Sequence, residues 1–97
     1  MFARVATYEV PPQRISEAEG AFRQAIDEIR MMAGASGAYL LVSGDSGRVV
    51  TMTLWENQAA MEASRVAASQ LRRGAAAALE GSVVSAEEYE VATQELV

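Results

Sequence analysis

The chain has 97 residues, enough for one domain over residues 1–97 whose core buries roughly two-thirds of the surface exposed by the unfolded chain. Its net charge is −5, from thirteen acidic residues against eight basic ones, all arginine, which repels a phosphate backbone and excludes nucleic acid as an expected partner. Cysteine, histidine and lysine are absent, and with them go thiol nucleophiles, disulfides, Cys/His zinc sites, the Ser-His-Asp triad and Schiff-base lysines.

The first residues do not read as a signal peptide, because Glu9 and the pair Pro11-Pro12 interrupt the run too soon for an apolar h-region. No stretch approaches the roughly 18 to 20 apolar residues of a membrane span. No membrane association is therefore expected, and the reading is of a cytoplasmic protein.

Phe2 to Val10 is rich in β-branched and aromatic residues and stops at the prolines, which predicts the first strand. Ser16 followed by Glu19 has the capping-box form, and Ala18, Phe22, Ala25, Ile26, Ile29 and Ala33 recur at helical spacing. These predict an amphipathic helix ended by Gly34 and Gly37. Ala38 to Val42 is a short apolar run, and Gly44-Asp45-Ser46-Gly47 joins it to Arg48–Glu56 as a hairpin.

Asn57 is a good N-cap for a long helix carrying Ala60, Ser64, Ala67, Leu71, Ala75, Ala78 and Leu79 on its inner face, with Gly74 a candidate kink and Gly81 a stop. In this helix Arg72 and Arg73, with Glu62 and Glu80 nearby, read first as a solvated face and second as charges that steer an anionic ligand. A last strand is predicted over Ser85 to Glu95 from the alternation around Tyr89, Val91 and Thr93.

The resulting order, β-α-β-β-α-β, predicts an α+β, ferredoxin-like fold: a four-stranded antiparallel sheet with two helices on one face. In the third strand Val50, Met52 and Leu54 alternate with Val49, Thr51, Thr53 and Trp55, so neither face is hydrophilic. Two helices cover only one face. A bare apolar sheet predicts a homodimer joined through the sheet faces.

Layout and motif together resemble the antibiotic biosynthesis monooxygenase family of dimeric α/β barrels. The most specific piece is the strand "VVTMTLWENQAAMEAS", where Trp55-Glu56-Asn57 leads into Ala59-Ala60-Met61, similar to the family's W-E-S-x-x-A junction. The resemblance implies a dimer, a small cavity between sheet and helices in each subunit, and oxidation of an electron-rich aromatic substrate, of quinol or polyketide type, with no cofactor and no metal. It also implies a catalytic role for Trp55. The family's asparagine four residues earlier is Thr51 here, and its tyrosine six residues later is Met61, so the amide and the phenol are both replaced.

The expected substrate-binding set is Thr51, Thr53, Tyr39, Met61 and Phe22, against a small aromatic ligand. Tyr8 and Tyr89 are further phenols that packing alone would explain. The haem-degrading branch of the superfamily needs a histidine on iron, and the chain has none. Two classes of function stay open: a small cofactor-independent monooxygenase, or a non-catalytic small-ligand-binding or structural dimer on the same scaffold.

Overall fold

The computed structural model describes residues 1–97. Strands β1 (Phe2–Glu9), β2 (Ala35–Ser43), β3 (Arg48–Trp55) and β4 (Ser82–Glu90) form one antiparallel sheet in the order β2-β3-β1-β4. Helices α1 (Ala18–Arg30), α2 (Gln58–Ala63) and α3 (Arg65–Ala78) lie on one face. This is the ferredoxin-like arrangement, with the expected second helix divided in two.

The register decides which side chains meet the helices. Arg4 lies opposite Thr53, Ala6 opposite Thr51 and Tyr8 opposite Val49. With Trp55 these form the covered face, where Ala6, Tyr8, Val49 and Trp55 are all fully buried. The alternate residues Val5, Val50, Met52 and Leu54 are only half-buried, and Tyr39 and Leu41 are exposed.

The core has two lobes. Tyr8, Phe22, Val49 and Leu79 belong to the larger one, and Ile29, Trp55, Met61 and Ala68 to the smaller one. Thr51 and Thr53 stand between Val49 and Trp55 on β3, and Arg4 stands between Phe2 and Ala6 on β1. A polar band therefore crosses the interior between the lobes.

Four local departures from the sequence reading have physical causes. Ser16 does not cap α1: Pro12 presets a tighter turn, and Pro12–Glu17 winds as a 3₁₀ segment, with Glu17 at the N-cap and no side-chain cap. β2 begins at Ala35, because Gly37 joins the ladder opposite Leu54. The final strand spans Ser82–Glu90 and not Ser85–Glu95, since its partner β1 runs out at Phe2, which faces Glu90.

The fourth departure matters most for function. Asn57 caps α2 as expected, accepting from the Ala60 amide at 2.8 Å, but the helix breaks at Ser64 and not at Gly74. At the break the Met61 carbonyl accepts from the Ser64 hydroxyl at 2.7 Å and from Arg4 Nη2 at 2.8 Å. The buried positions nevertheless run on across the break as Met61, Ser64, Ala68, Arg72, Ala75 and Leu79, one continuous helix face. Ala67 is exposed, while Ala68, Arg72, Ala75, Ala76 and Leu79 face the sheet.

Candidate active site

Arg4 organises one end of the polar band. It sits on central strand β1 directly across from Glu88 on β4, and its Nε and Nη2 donate to Glu88 Oε2 at 3.1 and 2.8 Å. Nη1 donates to Ser64 Oγ at 3.0 Å. The guanidinium carbon lies 5.7 Å from the centre of the Trp55 ring, within cation–π range.

Trp55 is 0% exposed, and its indole N–H donates to Thr53 Oγ1 at 3.0 Å. Glu88 is held from outside as well, by Arg65 Nε at 3.0 and 3.1 Å. The hydrogen bonds of Arg65, with those of Arg4 adding to them, bring the Glu88 carboxyl down to about 2.

Tyr8 and Thr51 form a second unit of the band, with 2.8 Å between Tyr8 Oη and Thr51 Oγ1. Burial raises the Tyr8 pKa, and the Thr51 hydrogen bond and the charges of Arg72 and Arg4 only partly offset it. The phenol stays protonated at neutral pH. Phe22 packs on the opposite side of this ring, with 4.6 Å between centroids.

Arg72 reaches the same band from α3. It is 7% exposed, and its Nε and Nη1 are buried without a hydrogen-bond partner. Burial lowers its pKa, and the proximity of Tyr8 works in the opposite direction. A buried cationic group with unmet donors is costly to the fold.

Beside Arg72 opens a cleft of about 590 Å³. Arg65, Arg72 and Arg73 of α3 form one wall, Arg4 of β1 the floor, and Ala86 and Glu88 of β4 the other wall. The volume lies within the usual range for small-molecule pockets. The polar groups that line it are guanidinium, carboxylate, amide and hydroxyl, the last two from Gln70 and Ser69.

The expected site residues divide into three groups. Trp55, Thr53 and Met61 gather around Arg4, and Thr51 joins Tyr8. Phe22 is sealed in the larger core lobe and touches the site only through Tyr8. Tyr39 lies on the other face of the sheet: it pairs with Met52, whereas its neighbour Leu40 pairs with Thr51. None of these residues lines the cleft, which Arg4 separates from Trp55.

The cleft's own residues, Arg4, Arg72 and Glu88, are absent from the expected set. Arg72 carried a legible signal, the four-residue spacing Ser64, Ala68, Arg72, Ala76 along one helix face.

The sequence profile of the antibiotic biosynthesis monooxygenases matches residues 1–72 of the chain. The chain belongs to that family. The matched part includes β1, β3, the Trp55 junction and Arg72 as its last residue. Among curated proteins none matches in sequence.

Solved structures show the same fold for this family member. A Deinococcus radiodurans protein that carries the family name superposes with a TM-score of 0.78 at 14% identity, over 100% of this chain and 98% of that one. SnoaB, a cofactor-independent oxygenase from Streptomyces nogalater, gives 0.71 at 20% identity over 98% and 95%. A Mycobacterium tuberculosis protein gives 0.71 at 18% identity, over 96% of each chain.

Proposed function

We propose that the chain is a cofactor-independent monooxygenase acting on an electron-rich aromatic, of quinol or polyketide type. The observation that carries this reading is the uncompensated guanidinium of Arg72 at the wall of a cleft of about 590 Å³. Oxygenation without metal or flavin requires the substrate itself to be the reductant, which it becomes as its carbanion or phenolate. A cation at the cleft wall with no acidic partner stabilises that anion by its charge.

The balance is simple. An activated CH₂ loses one proton to solvent, the carbanion reduces O₂ and forms a C–O bond, and the peroxide takes up a proton and expels water as the second C–H breaks. One oxygen atom ends in the new carbonyl and the other in water, so no external reductant is consumed. Arg72 holds the anion, and the Tyr8–Thr51 pair sets the field behind it. Trp55 acts on this site by supporting Arg4 from behind.

The half-covered sheet face bearing Val5, Val50, Met52, Leu54, Tyr39 and Leu41 supports a homodimer joined sheet to sheet. Sedimentation of a monomer at micromolar concentration would exclude it. A second reading, a non-catalytic ligand-binding dimer, is favoured by one observation: Trp55 is completely sealed and does not line the cleft.

Oxygen uptake with anthrone and naphthoquinol substrates separates the two readings. The oxygenase gives turnover above the uncatalysed rate that falls in Arg72→Met. Uncatalysed rates across the panel leave the binder.

A further inference from the structure

The two edges of the sheet are protected unequally. β4 is an acidic edge, bearing Glu87, Glu88 and Glu90, and its register with β1 shifts at Val84. Charge and a bulge are the devices that keep an open edge from pairing with another chain. β2, at the other edge, is the one strand of the sheet without a charged residue, and it has no proline. Its single irregularity lies at its start, between Ala35 and Gly37, and Tyr39, Leu41 and Val42 are exposed along it.

A free edge of this kind is a template for a further strand, and the pattern of β2 points to which one. Set antiparallel against a second copy of itself about Tyr39, β2 places Leu41 opposite Gly37 and Leu40 opposite Ala38. Each large side chain then meets a small one across the seam.

The helix beside this edge repeats the same symmetry in charge. A groove of about 240 Å³ separates β2 from α1, and Glu19, Arg23, Asp27 and Arg30 line it together with Ala38 and Leu40. Along α1 these charges alternate in sign. A second α1 laid antiparallel across the seam sets Glu19 against Arg30 and Arg23 against Asp27 of the other copy, attractive at every position. Ala38 and Leu40, which flank Tyr39, line the groove alongside this charge column, so one axis serves both patterns. The four charges also sum to zero in a chain of net −5, so two copies approach here without the repulsion that their overall charge imposes.

We infer that β2 and the adjoining flank of α1 form an interface for a second copy of this chain, in which the two β2 strands pair antiparallel about Tyr39 and join two sheets into one. The open sheet face is a different surface, and the edge interface does not rest on it. Face pairing and edge pairing together give a tetramer.

Sedimentation velocity of the full chain at micromolar concentration tests the edge, using Val42→Lys on the helix side of β2 and Met52→Lys in the middle of the open face. The native chain is expected as a tetramer, each variant as a dimer and the double variant as a monomer. Arg23→Asp sets like charges against each other across the seam and is expected to weaken edge pairing about tenfold or more. Adding Asp27→Arg to the same chain restores the alternation and the pairing, a rescue that a folding defect would not show. Circular dichroism verifies that each variant is folded.

Val42→Lys sedimenting like the native chain overturns the proposal, as does a loss in Arg23→Asp that Asp27→Arg fails to reverse. A native dimer that Val42→Lys dissociates and Met52→Lys leaves intact supports the edge interface and removes the face dimer. A native dimer with the opposite responses removes the edge interface and leaves the face dimer standing.

Discussion

Arg4 and Arg72 are nearly equally buried, at 3% and 7% exposed, and both belong to the polar band that crosses the core. Their surroundings differ in kind. Arg4 has bonds to Glu88, Ser64 and the Met61 carbonyl and a ring beneath it, whereas Arg72 has buried nitrogens with nothing to donate to. A satisfied buried cation holds elements in place: Arg4 ties β1 to β4 and to the break between α2 and α3. An unsatisfied one is a liability to stability unless a ligand completes it. The Trp55 end of the band is thus built for rigidity, and the Arg72 end carries an unmet charge.

The largest effect sharpens the rigid side of this comparison. Trp55→Ala removes the largest fully buried side chain and is expected to cost about 4 kcal/mol in chemical denaturation. A loss below about 1 kcal/mol would mean that the indole is not the anchor of the smaller lobe.

Next in size is the contrast between the two arginines. Arg4→Met leaves Glu88, Ser64 and the Met61 carbonyl without their inner donor and should cost about 3 kcal/mol. Arg72→Met removes a cation that has no partner, so unfolding should show no loss, or a gain of about 1 kcal/mol. Equal losses in the two variants would erase the distinction between them.

The smallest effect lies in acid. Glu88 is held at about 2 against an ordinary 4.5, so the folded state binds its proton less readily than the unfolded chain does. The stability this provides is fully present above pH 4.5 and is lost as the pH falls towards about 2. In Glu88→Gln the decline of melting temperature across that window should be shallower than in the native chain. An unchanged slope would show that Arg4 and Arg65 do not act through this carboxylate.

The sheet was legible because its signal is local. Alternation along Arg48–Trp55 assigns Thr51, Thr53 and Trp55 to one face whatever the rest of the chain does, and the register agrees. Tyr39 shows where alternation stops being informative: with both faces of β2 apolar, only pairing with β3 reveals which one meets the helices.

The site was less legible because its causes are distant in sequence. The helix break at Ser64 is bonded by an arginine sixty positions away, a contact that no local pattern announces. Arg72 read as a solvated residue because its charge outweighed the four-residue spacing from Ser64 and Ala68 that places it on the buried face. Polar residues in a core are found by following what they bond, which periodicity does not encode.

The concentration of arginines along one cleft also gives the molecule a direction. At distances beyond a Debye length, about 8 Å at physiological ionic strength, an approaching anion is shielded from the detail of the charge pattern, and within it the excess of acidic residues elsewhere repels approach. Four of the eight arginines line this one cleft against a net charge of −5 over the whole chain, so the attraction an anion meets is short-ranged and local.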